Sequence, residues 1–170
     1  GLALEGMKVV AYSIGNFPTL RCLEQIRNDA CYHKVNLTIV GMGGGFSYGA
    51  LGMSHHATED ISIMRSLPEV DVVAPGTPKE AYLLAEKLIQ KEGVSYLRLD
   101  KSFYSIDGNY DFEIGKSIKY KEGDCITLIT TGGILVEAML AAEKLKDLGI
   151  NIGVTHFHTL KPLDKHALDA

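Results

Sequence analysis

Two adjacent histidines, His55 and His56, stand just before two acids, Glu59 and Asp60, where the pattern predicts the start of a helix. Imidazole exchanges protons near neutral pH, so one of them could act as an acid–base group or bind a substrate oxygen. Adjacent side chains at a helix start point in different directions, and no H-E-x-x-H pattern is present, which argues against a shared metal ion. The alternative, one histidine packing or capping and the other facing solvent, stays open.

A glycine-rich loop lies between a predicted strand and the histidines. It holds Gly41, Gly43, Gly44, Gly45, Gly49 and Gly52. The G-x-G-x-x-G spacing of dinucleotide-binding loops fails, because Phe46 occupies the last glycine position. Open α/β sheets bind ligands in loops at the carboxyl ends of strands, so the loop is either a ligand site or a tight turn.

Two cations, Arg98 and Lys101, follow another predicted strand. In a parallel sheet they would share the edge of the glycine loop and could hold an anionic substrate group. They could equally be surface charges paired with Asp100. Phe17 and Tyr48 are aromatic rings at strand ends or loops, where a ring either packs on a ligand or belongs to the core.

The elements that would position these residues alternate between strands and helices, the pattern of a parallel sheet with crossover helices. The predicted strands are residues 7–13, 36–42, 70–74, 94–99, 125–131 and 151–157. The predicted helices are residues 57–67, 78–92 and 134–148, together with a helix opened by Pro18 that carries Leu20, Leu23, Ile26, Arg27 and Ala30 on a helical spacing. Residues 101–124 lack periodicity and predict a connector.

Composition narrows the functional classes. The 170 residues are 46% hydrophobic, enough for a core, without the roughly 18 consecutive apolar residues of a membrane span or a signal peptide in residues 1–6. Three cysteines without C-x-x-C spacing favour a reducing cytoplasm over a disulfide framework. A net charge of −4 without a basic stripe argues against nucleic acid as a partner.

Three segments resemble the transketolase family. Residues 52–81 (GMSHHATEDISIMRSLPEVDVVAPGTPKEA) are similar to its signature of G-x-[ST]-H, an acid, a helix ending in Arg and Leu-Pro, a strand and an Ala-Pro-x-x-x-x-Glu-Ala turn. Residues 126–133 (ITLITTGG) and 153–164 (GVTHFHTLKPLD) resemble the opening of the family's C-terminal domain. The similarity is greatest to the separate C-terminal subunit of split bacterial transketolases.

The resemblance implies an α/β thiamine-diphosphate-binding fold. Residues 1–103 would be a pyrimidine-binding domain lacking its N-terminal part, residues 104–123 a linker, and residues 124–170 the start of a second α/β domain. The implied activity is transfer of a two-carbon ketol unit between sugars, with sugar phosphates expected. A thiamine-diphosphate enzyme acting on 2-oxoacids and a noncatalytic nucleotide-binding or interaction module stay open as alternatives.

The resemblance also implies site residues. His55 matches the histidine beside the cofactor's reaction centre, Phe17 falls near the aromatics that pack on the aminopyrimidine, and Arg98 or Lys101 falls near a position that grips substrate phosphate. Leu51 stands where classical transketolases carry an aspartate for a substrate hydroxyl, and the phosphate-binding histidine of the preceding loop has no counterpart, which puts sugar-phosphate specificity in question.

The resemblance places the remaining parts of the site outside these residues. The glutamate of the E-Q-N motif, which hydrogen-bonds the pyrimidine, would precede Gly1. Ligands for Mg²⁺ and the diphosphate are expected on a partner, either an N-terminal transketolase subunit or a second copy, so a dimer or hetero-oligomer is predicted.

Overall fold

The alternating strands and helices form two β-sheets with helices packed on them. The computed structural model describes residues 1–101, 104–106, 108 and 110–169. The strands are β1 Val9–Ile14, β2 Leu37–Met42, β3 Val70–Val73, β4 Val94–Leu99, β5 Ile118–Lys121, β6 Thr127–Thr130, β7 Gly153–His156 and β8 Thr159–Lys161. The helices are α1 Leu23–Gln25, α2 Asp60–Ser66, α3 Pro78–Gln90 and α4 Leu135–Asp147, with 3-10 turns at Gly49–Leu51 and Gly132–Ile134.

The first sheet has the strand order β1-β2-β4-β3-β8, and its first four strands are parallel. Its core includes Ile39, Met64, Val72 and Tyr96, which are almost completely buried. Because the strands are parallel, the loops that follow β1, β2 and β4 all emerge at one edge. We call this edge the carboxyl edge.

The helices follow their sequence signals to different degrees. Thr77 caps α3 by accepting a hydrogen bond from the Glu80 N–H at 3.2 Å, Pro78 opens the helix, and Leu84 and Leu88 are buried. The helix predicted after Pro18 is instead a single α turn, α1, that continues as π-helical turns over Ile26–Cys31. Within the described residues no helix has the length and apolar character needed to cross a membrane.

The second sheet has the strand order β5-β7-β6. Strands β6 and β7 are parallel and joined by α4, as the sequence predicts, whereas β5 runs antiparallel to β7. Strand β5 lies inside the segment predicted as a connector, residues 104–123. With four residues (IKYK), two of them lysines, this strand is too short and too polar to be recognised from the sequence.

The two sheets are tied together by backbone hydrogen bonds. Strand β8 belongs to residues 124–169, here called the second segment. It pairs antiparallel with β3 and so completes the first sheet. The Ala74 N–H donates to the His158 carbonyl at 2.7 Å, and the Gly132 N–H donates to the Ala74 carbonyl at 3.0 Å. The end of β3 is therefore held directly by the second segment.

Candidate functional site

The carboxyl edge brings together three of the four predicted site residues. The rings of Phe17 and His55 have centroids 5.1 Å apart, and Tyr48 lies 6.3 Å from His55. Lys101 places its Nζ 3.9 Å from the centroid of the Tyr48 ring, a cation–π contact. We call Phe17, Tyr48, His55 and Lys101 the edge cluster.

The glycine loop lets the edge cluster form. Gly43 has φ +77°, and a Cβ there would overlap the Tyr48 ring. At the far end of the loop, Gly45 and Ala57 exchange backbone hydrogen bonds of 2.7 and 3.0 Å. Residues 45–57 are thus a closed loop, and His55 lies near its end, half-buried against Phe17.

The two adjacent histidines point in different directions, as their positions in the sequence predict. His55 Nδ1 is 3.0 Å from the Ser54 hydroxyl oxygen. His56 Nε2 donates to the Gly49 carbonyl at 3.2 Å, and its ring meets the edge of Phe46. His56 therefore stabilises the loop, while His55 faces the aromatic rings.

Arg98, the fourth predicted residue, lies apart from the edge cluster. Its Nε donates to Asp60 at 3.0 Å and its Nη1 to Asp100 at 3.2 Å, with 13% of the side chain exposed. A Cβ on Gly44 would collide with this guanidinium. Two carboxylates already neutralise the charge of Arg98, which makes it less available to a substrate anion. Binding of a substrate anion by Arg98 stays a prediction.

Arg98 and Lys101 both line a cavity of about 490 Å³ next to the edge cluster. Its wall also includes Gly44 and Ser47 from the glycine loop and Gly133 from the second segment. Asp100 joins the two walls, because its Oδ2 accepts the Gly133 N–H at 2.8 Å. The second segment therefore helps to enclose the cavity that Arg98 and Lys101 line.

Sequence reasoning missed a buried polar cluster beneath this junction. Glu80 and His156 are fully buried, and His156 Nε2 lies 3.2 Å from Glu80 Oε2 without hydrogen-bond alignment. Glu80 also accepts the Tyr120 hydroxyl and, at 2.5 Å, the Gly76 N–H. Thr130 Oγ1 lies 2.9 Å from His156 Nδ1. Because its members come from distant parts of the chain, no local pattern signals the cluster.

Burial perturbs the titration of this cluster. Burial raises the pKa of Glu80, but the side chains of His156 and Tyr120 and the Gly76 N–H lower it by more, so its pKa lies below the ordinary value. Burial lowers the pKa of His158, the neighbouring histidine, to about 4. The fold therefore keeps Glu80 ionised and His158 neutral near neutral pH.

A parallel sheet with a glycine loop and an aromatic–imidazole cluster at its carboxyl edge defines a ligand-binding α/β domain. The family described as "Transketolase, pyrimidine binding domain" matches residues 1–106, and "Transketolase, C-terminal domain" matches residues 115–170. The chain belongs to the transketolase family. The resemblance of residues 52–81 and the α/β fold class are confirmed.

Relatives of this chain include subunits of split transketolases. It is 34% identical to a subunit of the apulose-4-phosphate transketolase of Actinobacillus succinogenes, over 99% of this chain and 55% of that protein. It is 32% identical to "6-deoxy-6-sulfo-D-fructose transketolase subunit SqwH" of Clostridium sp. (strain MSTE9), over 99% of this chain and 53% of that protein. A solved structure, "Split gene transketolase, inactive beta4 tetramer", superposes with a TM-score of 0.87 at 33% identity, covering 99% of this chain and 55% of that one. The chain spans about half the length of these relatives.

Proposed function

We propose that this chain forms part of a thiamine-diphosphate-dependent transketolase that transfers a two-carbon ketol unit between sugars. The observation that carries the proposal is the edge cluster, which sets an aromatic ring, an imidazole and a cation side by side at the ligand-binding edge of a pyrimidine-binding domain. The alternatives of a 2-oxoacid enzyme and a noncatalytic module have less support, because these relatives carry transketolase names.

The residues present fit the pyrimidine side of the cofactor. Phe17 is half-buried, with the Arg21 guanidinium 4.3 Å from its ring centroid and the His55 ring centroid 5.1 Å away, so a flat heterocycle would contact the part of the ring that these two groups leave exposed. Thiamine diphosphate, when bound, supplies the electron sink for the carbon–carbon chemistry. Phe17 would hold the aminopyrimidine against the protein.

His55 would act on the substrate side of the same edge. Its Nδ1 is engaged with Ser54, so Nε2 is the nitrogen that would meet a substrate oxygen and exchange a proton with it. The half-buried ring is fixed between Phe17 and Tyr48, and this fixed position favours one orientation of the proton transfer.

Lys101 would bind the anionic end of the substrate. It is exposed, and its ammonium rests on the Tyr48 ring rather than in a buried ion pair, in contrast to Arg98. The names of two relatives specify substrates with a phosphate and a sulfo group. A point charge at Lys101 suits either anion, so the substrate class we propose is sugars with an anionic terminus.

The metal and diphosphate half of the site would come from a partner. Across the residues that the structure describes, no group of three His, Cys, Asp or Glu side chains is placed to hold a metal ion. From the family resemblance we infer that Mg²⁺ and the diphosphate are bound by an N-terminal transketolase subunit or a second copy, in a dimer or hetero-oligomer. The three free cysteines, Cys22, Cys31 and Cys125, suit a cytoplasmic location.

The test compares three preparations by a coupled assay of ketol transfer and by calorimetric titration with thiamine diphosphate. They are residues 1–170 alone, the same chain with an N-terminal transketolase subunit, and a chain extended upstream through an E-Q-N motif with that subunit. We expect turnover and tight cofactor binding only in the third. Robust turnover by residues 1–170 alone would contradict the proposal.

A further inference from the structure

Asn16 is a buried amide in the short loop that follows β1, directly before Phe17. Only 8% of the residue is exposed. Its Nδ2 donates to the Ser54 carbonyl at 2.6 Å, while its Oδ1 is buried and, among the residues that the structure describes, finds no hydrogen-bond donor. Asn16 therefore links the loop of Phe17 to the loop of His55 by a single hydrogen bond.

The loop that carries Asn16 is held rigidly. Thr19 is fully buried, and its hydroxyl donates to the Gly15 carbonyl at 2.6 Å. A Cβ on Gly15 would lie 3.0 Å from the Cβ of Ala57, so the loop is pressed against the end of the closed loop 45–57. A rigid loop transmits its position to whatever its side chains hold.

Two contacts connect Asn16 to the imidazole of His55. Asn16 fixes the Ser54 carbonyl, and the Ser54 hydroxyl lies 3.0 Å from His55 Nδ1. The orientation of the amide is determined, because turning it over would face Oδ1 toward the Ser54 carbonyl oxygen, two acceptors in contact. Nδ2 of Asn16 is therefore the atom that donates to the Ser54 carbonyl.

The unpaired Oδ1 makes a purely stabilising role for Asn16 unfavourable. A buried acceptor without a donor costs stability, and a side chain without that oxygen would avoid the cost. An unsatisfied buried polar group in a native structure calls for an explanation, and a functional role is one of them. In this chain the unpaired Oδ1 belongs to Asn16, which joins the two loops that carry Phe17 and His55.

We propose that Asn16 is a positioning residue: through Ser54 it fixes the His55 imidazole relative to the Phe17 ring. The proposal rests on the proposed function in one respect, namely that the positioned His55 imidazole contacts a substrate. Asn16 acts through Ser54 and His55.

The first test is Asn16→Ala in the 170-residue chain, followed by ¹⁵N NMR of the histidine side chains and by urea unfolding. We expect the His55 ¹⁵N shifts to move, because the Ser54 carbonyl and hydroxyl lose their fixed position. We expect the unfolding midpoint to stay the same or rise, because the unpaired acceptor is removed along with the bond.

Ser95→Ala is the matched control. It removes a buried hydrogen bond of 3.0 Å, to Thr38, near the start of β4 and away from the carboxyl edge. It should lower the unfolding midpoint and leave His55 unchanged. Unchanged His55 shifts in Asn16→Ala, or a fall in its midpoint as large as that of Ser95→Ala, would overturn the proposal.

Asn16→Asp gives a second, shape-matched test, because it keeps the size of the side chain and removes the donor. At neutral pH it should displace the His55 shifts as Asn16→Ala does, and wild-type shifts in this variant would overturn the assignment. In the assembled enzyme, Asn16→Ala should lower kcat by up to about 100-fold with the KM for the cofactor unchanged. The NMR result stands without activity, so a failure of the proposed function, seen as an unimpaired His55→Ala enzyme, is distinguishable from a failure of this proposal.

Discussion

The buried cluster around Glu80 allows a quantitative prediction for Glu80→Gln, which keeps the shape of the side chain and removes its charge. Glu80 Oε2 accepts the Gly76 N–H and faces His156, while Oε1 accepts the Tyr120 hydroxyl. Glutamine has one acceptor oxygen, so its NH₂ group must face a donor on one side or the other.

The magnitude follows from what is left unpaired. Each hydrogen bond to a charged group contributes about 1.5–3 kcal/mol, and a buried donor left unpaired costs about 1–3 kcal/mol more. We expect Glu80→Gln to lose about 3–5 kcal/mol of unfolding free energy. With a urea dependence of about 2 kcal/mol per molar, the midpoint should fall by about 1.5–2.5 M.

The assay is urea unfolding followed by circular dichroism, with Glu86→Gln as the control. Glu86 is exposed on the same helix, α3, so its substitution should change the unfolding free energy by no more than about 0.5 kcal/mol. If Glu80→Gln unfolded within about 0.5 M of the wild type, the cluster would not stabilise the junction and the reasoning would be refuted.

Two further predictions concern pH and the two cations. Because burial lowers the pKa of His158 from 6.5 to about 4, the unfolded chain binds a proton there before the folded chain does, so the urea midpoint should fall as pH drops from 6.5 toward 4. The contribution is about 3 kcal/mol at most, and His158→Leu should flatten this part of the pH profile; an equally steep profile would contradict the assignment. Arg98→Ala should cost about 3–5 kcal/mol, because it leaves Asp60 and Asp100 without their cation, whereas Lys101→Ala should cost less than about 0.5 kcal/mol. Equal urea midpoints for these two variants would contradict the contrast between a buried ion pair and an exposed cation.

The edge cluster could be anticipated from the sequence because its ingredients are local. Each parallel strand is marked by a β-branched run, and parallel strands send their following loops to one edge. Phe17, His55 and Lys101 follow three such strands, so their meeting is a consequence of topology. Their roles in binding and catalysis stay predictions.

Other features depend on contacts between residues that are distant in the sequence, and no local sequence pattern predicts them. Asn16 bonds Ser54, 38 residues away, and Tyr120 bonds Glu80, 40 residues away. Strand β8 has three residues and forms only because β3 offers a free edge. The π-helical turns after α1 also differ from the predicted helix; Asn28 and Asp29 lie there, and such side chains compete with the backbone for hydrogen bonds in helices.

The most direct measurement of the central claim is the kinetics of His55→Ala in the proposed complex with an N-terminal transketolase subunit. If His55 faces the substrate while Phe17 holds the cofactor, kcat for ketol transfer should fall by about 10²- to 10⁴-fold. The thiamine diphosphate affinity, measured by calorimetry on the same preparation, should change little. An unimpaired kcat, or a loss of activity explained entirely by weaker cofactor binding, would contradict the account.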